Sequence, residues 1–223
     1  MTTLPPPGLK LRILGAARAE PSPTRPAVKR RVALLIAASI AGLAAAFLAA
    51  GGLHTDGRPT LQVAGSALGW AAVAGVATWQ AFARGKSMLG RPSGQLLAVA
   101  LATPIALLGW LAVWDARYPE AGTTCGLAHC IPCFLLTLFM AAAPFGALLL
   151  ARRETDPVHP RVTGAALGAA AGAWGAVMID LRCSVITMTH VTLGHALPVL
   201  VLAALGALLG GRVVGMRGSR AGS

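Results

Sequence analysis

Charged and aromatic residues are scarce in this chain. Of its 223 residues, 12% are charged and 5% are aromatic, and only seven are acidic. Soluble domains ordinarily carry about 25% charged residues, so this chain has too little charge to cover a solvated surface. Its hydrophobic fraction is 56%. The composition therefore indicates an integral membrane protein.

Ionisable residues are also nearly absent from the long apolar runs. Transporters that are coupled to protons or ions normally place acids, histidines or arginines near the middle of the bilayer. We expect only His195 to be buried inside a span, so the sequence disfavours transport. The net charge of +12 does not indicate nucleic-acid binding, because the basic residues separate the apolar runs instead of gathering in one basic stretch. We therefore expect no direct contact with nucleic acid.

Six apolar stretches are long enough to cross a hydrocarbon layer, which takes about 20 helical residues. They cover residues 32–52, 61–83, 95–114, 131–151, 162–179 and 191–211. Glycines recur at four-residue spacing within them, as at Gly164, Gly168 and Gly172, and small residues at this spacing let helices approach closely in lipid. The sequence predicts an all-α integral membrane protein, folded as a compact six-helix transmembrane bundle.

Basic residues are distributed unevenly among the connections. Of the 19 Lys and Arg residues, 16 lie in residues 1–31, 84–94, 152–161 and the stretch from 212 onward. Under the positive-inside rule these segments are cytoplasmic. The connections 53–60, 115–130 and 180–190 then face outward. We therefore expect both termini of this multi-pass protein to be cytoplasmic.

This topology divides the chain into three parts: a cytoplasmic N-terminal segment of residues 1–31, a six-helix domain of residues 32–211, and a cytoplasmic tail of residues 212–223. In the N-terminal segment, residues 8–20 predict a short amphipathic helix between two proline-rich pieces. A helix this short is marginal in water. We expect it to order against anionic lipid headgroups or in the groove of a protein partner.

All four cysteines fall on the side predicted to face outward. They are Cys125, Cys130, Cys133 and Cys183. Cys130 and Cys133 form a Cys-x-x-Cys pair at the predicted start of the fourth helix, where the helix dipole favours thiolates. One interpretation is a reactive thiol pair. Another is a structural disulfide that joins Cys125 or Cys130 to Cys183, because disulfides persist in an oxidising periplasm.

A metal site is the third interpretation of the cysteines. Thiolates and imidazoles are the ligands that zinc and copper(I) prefer, although the spacing in this chain matches no standard zinc motif. The candidate ligands are Cys130, Cys133, Cys183, His190 and His195. Asp180 and Arg182 flank Cys183, and we expect these two residues to pair with each other at the surface.

The run CSVITMTHVTLGHALP, from Cys183 to Pro198, is the most specific pattern in the chain. With the short N-terminal tail, the six spans and the outward cysteines, it resembles the NrsF-type membrane anti-sigma factors, including the topologically similar CarR type that controls light-induced carotenoid synthesis. The resemblance covers most of residues 8–217. It implies a regulator in the bacterial inner membrane, not an enzyme, that holds an extracytoplasmic-function sigma factor and releases it on oxidative, light or metal stress.

The resemblance also implies roles for individual residues. Cys133 and Cys183 would correspond to sensory thiols, with Cys125 and Cys130 beside them. The sigma factor would be held by the N-terminal helix, whose candidate contacts are Leu9, Lys10, Arg12, Ile13, Leu14, Ala17 and Arg18. This tail lacks the Cys and His residues of a soluble zinc-binding anti-sigma domain, so the contact would be that of a peptide-like helix.

Two other functions stay open at this stage. A quinone-linked thiol oxidoreductase would use Cys130 and Cys133 as its active pair and would need a quinone pocket near the fourth helix. A soft-metal permease would show uptake that depends on Cys133.

Overall fold

The computed structural model describes residues 24–54, 57–83, 91–118, 127–156, 158–185 and 187–215, together with Gly8 and Gly15. Contacts divide the chain into two compact units, Met1–Leu34 and Leu35–Ser223. Within the described ranges every named element is a helix, and the one β-bridge joins Asp156 to Gly215. The first unit contributes the start of the first helix.

Six of these helices are long and apolar enough to cross a membrane, which confirms the predicted fold class. They are α1 Arg25–Ala49, α2 Thr60–Phe82, α3 Ser93–Arg117, α4 Leu127–Ala151, α5 Pro160–Arg182 and α6 Met188–Val213. All six begin before the predicted apolar run does. Helical geometry continues through polar residues that a hydropathy count leaves out, and Lys and Arg are good helix formers.

Proline marks the start of three helices. α2 begins directly after Pro59, α3 begins after Pro92, and Pro160 is the first residue of α5. Proline suits these positions because its φ angle is already helical and the N–H that it lacks would have no partner in the first turn. The sequence therefore sets the entry point of these helices locally.

α5 is the central helix of the bundle. It packs against α2, α3, α4 and α6, and most of its residues are buried. Gly164 and Gly168 face the backbone of Gly206 and Leu202 in α6 so closely that an added Cβ would overlap the facing carbonyl oxygens. The glycine spacing along α5 and α6 thus produces the close backbone packing that the sequence predicted.

Glycine has a second packing role between α2 and α3. Gly65 lies under the indole ring of Trp114, and Gly69 lies under that of Trp110. The Trp110 Nε1 also donates a hydrogen bond to the carbonyl oxygen of Gly65, with 3.1 Å between the two atoms. These contacts hold α2 and α3 side by side, and they give the indole N–H of Trp110 a hydrogen-bond partner on a largely apolar surface.

Asp156 closes the turn between α4 and α5. Its Oδ1 accepts the N–H groups of Val158 at 3.0 Å and His159 at 2.9 Å, and the Thr163 hydroxyl donates to Oδ2. Burial alone would raise the pKa of the Asp156 carboxyl. The hydrogen bonds, aided by the charge of Arg152, outweigh burial and hold this pKa below its usual value. The carboxylate therefore holds the turn that leads into α5, by accepting backbone N–H groups two and three residues further along the chain.

Candidate functional site

Two cysteines and two histidines from three helices meet at one end of the bundle. Cys133 lies near the start of α4, Cys183 directly follows α5, and His190 and His195 lie in the first two turns of α6. Each offers one ligand atom, and these four atoms all lie within 4.8 Å of one another. We call this group the thiol–imidazole cluster. Cys133 is half-buried, and the other three residues are buried.

A π-helical turn in α6 brings the two histidines together. His190 and His195 are five residues apart, and in an α-helix of 3.6 residues per turn such residues point about 140° apart. Residues Thr192–Ala196 instead form a π-helical segment. A π turn pairs residues five apart along its axis, which places both imidazoles on the same side of α6.

Contacts from α4 hold this π turn in place. A Cβ added to Gly194 would lie 3.1 Å from the Cβ of Cys133, so α4 and α6 approach each other closely at this point. The Thr137 hydroxyl lies within hydrogen-bond distance of two carbonyl oxygens, 3.0 Å from that of Gly194 and 2.7 Å from that of Cys133. A widened helical turn leaves a carbonyl less well paired, and Thr137 satisfies it.

The side chains around His190 assign a different role to each of its ring nitrogens. Nε2 lies 3.2 Å from the Sγ of Cys183, inside the thiol–imidazole cluster. Nδ1 lies 3.6 Å from the Sγ of Cys130, outside it. The Sγ atoms of Cys133 and Cys183 are 3.8 Å apart. Cys130 therefore contacts the ring nitrogen of His190 that faces away from Cys183, whereas the Sγ of Cys133 lies beside that of Cys183.

His195 is fully buried, and neither of its ring nitrogens has a hydrogen-bond partner among the described residues. Its ring stands edge-on to Trp70, with 5.9 Å between ring centroids, and edge-on to His190, with 5.4 Å. Buried imidazoles are ordinarily hydrogen-bonded, because an unpaired polar atom in an apolar environment costs free energy. The edge-on contacts therefore fix the ring, and its two nitrogens are available to a ligand.

A buried ion pair lies directly behind the thiol–imidazole cluster. Arg58, in the connection before α2, places Nη2 at 3.3 Å from Oδ1 of Asp180, and both side chains are almost completely buried. Arg58 Nη1 also donates to the carbonyl oxygens of Asp180 at 2.6 Å and Cys183 at 2.9 Å. The Ser66 hydroxyl completes the network by donating to Asp180 Oδ2 at 2.7 Å.

This network overturns two expectations from the sequence. Asp180 pairs with Arg58 and not with Arg182, and it is buried instead of lying at the surface. The expectation that His195 alone would be a buried ionisable group is therefore also wrong. The apolar run of the fifth span stops at residue 179, so Asp180 looks like a surface residue until the fold places Arg58 against it.

The remaining predicted site residues lie elsewhere. Cys125 lies outside the described residues. So do all of the predicted sigma-factor contacts, which are Leu9, Lys10, Arg12, Ile13, Leu14, Ala17 and Arg18. Of the five predicted metal ligands, four form the thiol–imidazole cluster, and Cys130 lies outside it with its Sγ 3.6 Å from the Nδ1 of His190.

Three residues that support the cluster were missed by sequence reasoning. They are Arg58, Ser66 and Thr137. Arg58 carried a usable signal, because it is one of only three basic residues in the connections predicted to face outward. Ser66 and Thr137 carried none, since single hydroxyl residues are common in apolar helices and their partners are distant in the chain.

A cavity of about 370 Å³ leads to the cluster. It is lined by Cys133, Cys183 and His190, together with His54, Pro132 and the residues that follow Cys183. The two thiols can therefore be reached from outside the bundle. Chemically, the arrangement suits either oxidation of Cys133 and Cys183 to a disulfide or coordination of a soft metal ion.

These observations define the class of protein: a bundle of six helices able to span a membrane, with a buried thiol and imidazole site at one end. The family described as negative regulator of sigma F, NrsF, matches residues 16–215, and the chain belongs to this family. The family is named for negative regulation of a sigma factor.

One curated relative is similar over part of the chain. It is the probable anti-sigma-F factor NrsF of Azospira oryzae, which is 35% identical over 78 residues. The match covers 35% of this chain and 37% of the relative, so the chain spans little more than a third of the length of the relative that it matches. No solved structure matches the chain.

Proposed function

We propose that this protein is an anti-sigma factor of the bacterial inner membrane. Its cytoplasmic N-terminal segment, residues 1–31, sequesters an extracytoplasmic-function sigma factor, and a change at the thiol–imidazole cluster releases that factor. The family match over residues 16–215 is the observation that carries the regulatory part of this proposal.

The order of the helices supports sensing and binding on opposite sides of the membrane. The N–H of His54, just after α1, donates to the carbonyl oxygen of Leu181 at 3.3 Å, so α1 ends at the same end of the bundle as the cluster. The positive-inside rule assigns residues 1–31 to the cytoplasm, since seven basic residues precede residue 32, whereas the connections that carry the cluster hold few basic residues.

The cluster is built where a change of state can alter helix packing. It joins α4, the end of α5 and the start of α6, and α5 packs against four other helices. Couplings between separate sites in proteins typically amount to about 1–3 kcal/mol. Moving one element of this cluster changes the position of the central helix, and this provides a physical route from the outer end to the cytoplasmic end.

The enzyme alternative has weaker support. An apolar cleft of about 610 Å³ lies among α1, α2, α4 and α5, and Pro144 is the residue of α4 in this cleft that is nearest in sequence to Cys133. Eleven helical residues separate the two, or about 16 Å along the axis. No cysteine or histidine of the thiol–imidazole cluster lines this cleft, so a quinone bound in it would not contact Cys133 directly.

A reporter assay tests the proposal. The full chain would be expressed with the sigma factor encoded nearest to its own gene, with a promoter specific for that factor as readout. We expect repression, and we expect Leu9→Asp with Ile13→Asp to abolish it, because charges on the apolar side of the predicted helix prevent docking. The control is Glu20→Gln, which lies mostly off that side.

Purified residues 1–31 should also bind the same sigma factor directly. The proposal fails if promoter output stays high when the full chain and the sigma factor are both present at normal levels, and if purified residues 1–31 do not bind that factor. Repression that is unchanged by the Leu9 and Ile13 substitutions would instead refute the assigned binding segment.

A further inference from the structure

We propose that the thiol–imidazole cluster binds one zinc(II) ion in a four-coordinate site. The ligands are the Sγ atoms of Cys133 and Cys183, the Nε2 of His190 and one ring nitrogen of His195. The binding claim rests on geometry alone, whereas its role as a regulator of sigma-factor release rests on the proposed function.

Two separations between donor atoms are close to those of a tetrahedral zinc site, and all four donor atoms lie within 4.8 Å of one another. Zn–S bonds of about 2.3 Å at tetrahedral angles separate two sulfur atoms by about 3.8 Å. The Sγ atoms of Cys133 and Cys183 are 3.8 Å apart. The shortest sulfur–nitrogen separation, 3.2 Å between Cys183 Sγ and His190 Nε2, lies slightly below the value of about 3.5 Å for such a site. Small side-chain shifts would complete the geometry.

The unpaired nitrogens of His195 are an independent observation that indicates a ligand. This side chain is fully buried, and its two ring nitrogens are both without a hydrogen-bond partner among the described residues. Coordination would satisfy one of them. The edge-on contacts with Trp70 and His190 fix the ring plane, so the nitrogen would be directed without further ordering.

Cys130 supports the site without belonging to it. When Nε2 of a histidine binds zinc, Nδ1 carries the proton and needs an acceptor. The Sγ of Cys130 lies 3.6 Å from the Nδ1 of His190 and is buried. A sulfur acceptor in this position fixes the tautomer in which Nε2 is free to coordinate.

The donor set and its charge select the class of ion. Two thiolates and two neutral imidazoles suit zinc and chemically related soft ions, whereas calcium and magnesium require oxygen ligands. Zinc(II) bound to two thiolates has no net charge, which is the state that a buried site requires. Binding of the ion to two neutral thiols and two neutral imidazoles releases two protons to the buffer, and no electrons are transferred.

Such an ion would add coordinate bonds among three helices that already pack against one another. It would tie the start of α4 to the end of α5 and to the π turn of α6. The proposed function places the cluster outside the cytoplasm. Zinc binding or loss there would change the packing around α5, and with it the affinity of residues 1–31 for the sigma factor.

The test uses the reduced full-length protein, purified in detergent, with no sigma factor present. Zinc is titrated in competition with a chromophoric chelator, and bound metal is counted by elemental analysis. We expect one zinc per chain. Cobalt(II) replaces zinc as a spectroscopic probe, and we expect the intense visible bands of a tetrahedral ion together with a thiolate-to-metal charge-transfer band.

Four variants separate ligands from their surroundings. Cys183→Ser and His195→Gln remove one ligand each and should weaken zinc binding by about 100-fold or more. Cys130→Ser alters the contact behind His190 and should weaken binding about 10-fold. His159→Gln removes a histidine from the turn between α4 and α5 and should leave the affinity unchanged. Helical circular dichroism checks that each variant is folded.

Three results would overturn the inference: less than one zinc bound per chain, an octahedral cobalt spectrum, or ligand variants that bind zinc as tightly as His159→Gln does. Even if a ligand variant fails to fold, the cobalt spectrum of the unmodified protein shows whether the bound ion is tetrahedral. Failure of the metal titration leaves the sigma-factor assay untouched, and failure of that assay leaves a measured zinc affinity valid, so the two proposals fail separately.

Discussion

Arg58 donates a hydrogen bond from Nη1 to the backbone carbonyl oxygen of Cys183, with 2.9 Å between the atoms. The two residues are 125 positions apart. Arg58 also pairs with the Asp180 carboxylate, which lies one turn before Cys183. A single guanidinium thus fixes the end of α5 and the backbone of a cysteine in the thiol–imidazole cluster. The position of that cysteine therefore depends on a buried charge from a different part of the chain.

Arg58→Met should destabilise the bundle by about 3 kcal/mol or more, because it leaves the buried Asp180 carboxylate without its counter-ion. Adding Asp180→Leu should recover part of this loss, since the double variant has no unpaired buried charge. The matched control is Arg153→Met, which breaks an exposed ion pair with Glu154 and should change stability by no more than about 0.5 kcal/mol. Denaturant unfolding in detergent measures all three. Equal losses for Arg58→Met and Arg153→Met would contradict the role assigned to the buried pair.

Gly168→Ala should destabilise the contact between α5 and α6 by about 1–3 kcal/mol. Its new Cβ would meet the backbone of Leu202 and Ala203, which cannot move aside as a side-chain end can. Gly109→Ala is the control, because a Cβ at that position of α3 has nothing within 4 Å. The control should be neutral or should stabilise by up to about 1 kcal/mol, since alanine favours the helix. Thermal unfolding of the two variants under identical conditions makes the comparison, and a Gly168→Ala protein as stable as the control would refute close backbone packing.

Stability should fall in acid through Asp156. Its folded pKa lies below the unfolded value of about 3.9. The stabilisation that it provides is therefore complete above the unfolded pKa and is lost as the pH falls through the folded pKa. Asp156→Asn should be less stable at neutral pH and should show a weaker acid dependence. The free energy of unfolding measured between pH 7 and pH 3 checks this. Parallel curves for the two proteins would show that Asp156 does not contribute.

Oxidation should join Cys133 to Cys183 and not Cys130 to Cys183. With oxidised glutathione as the oxidant, the two thiols lose two protons and two electrons, and glutathione is reduced. The Sγ atoms of the expected pair are already 3.8 Å apart, whereas Cys130 contacts the other side of His190. Peptide mass spectrometry identifies the linked pair, and Cys130→Ser should leave it unchanged. A dominant disulfide that contains Cys125 or Cys130 would contradict the geometry of the cluster.

The fold was largely predictable because each membrane span is encoded by one continuous run of apolar residues. About 20 consecutive apolar residues can satisfy their backbone groups in lipid only as a helix, so the number of spans follows from the apolar runs alone. The observed helices α2 and α4 end within a residue of the predicted limits. α1 begins seven residues earlier than its apolar run, since helical propensity extends through its basic residues where hydropathy does not.

The site was predictable in composition but not in arrangement. Five candidate ligands were identifiable because cysteine is rare here and all four cysteines lie on one side of the predicted topology, where His190 and His195 also lie. The separation of Cys130 from the other four was not, because Cys130 and Cys133 are neighbours in the chain and look equivalent. The five-residue spacing of His190 and His195 even argues against a shared site in an α-helix, and the π turn reverses that conclusion.

The amino-acid order by itself determined the six apolar helices, the glycine faces of α5 and α6, and the side of the predicted topology on which the cysteines lie. These features depend on residues close together in the chain, where hydropathy and helical periodicity act. Only the tertiary structure decided that Asp180 is buried against Arg58, that Thr137 supports the π turn, and which four ligand atoms converge. The reason is physical: these contacts join residues from different helices, and their energies depend on distances of a few ångströms that no local pattern encodes.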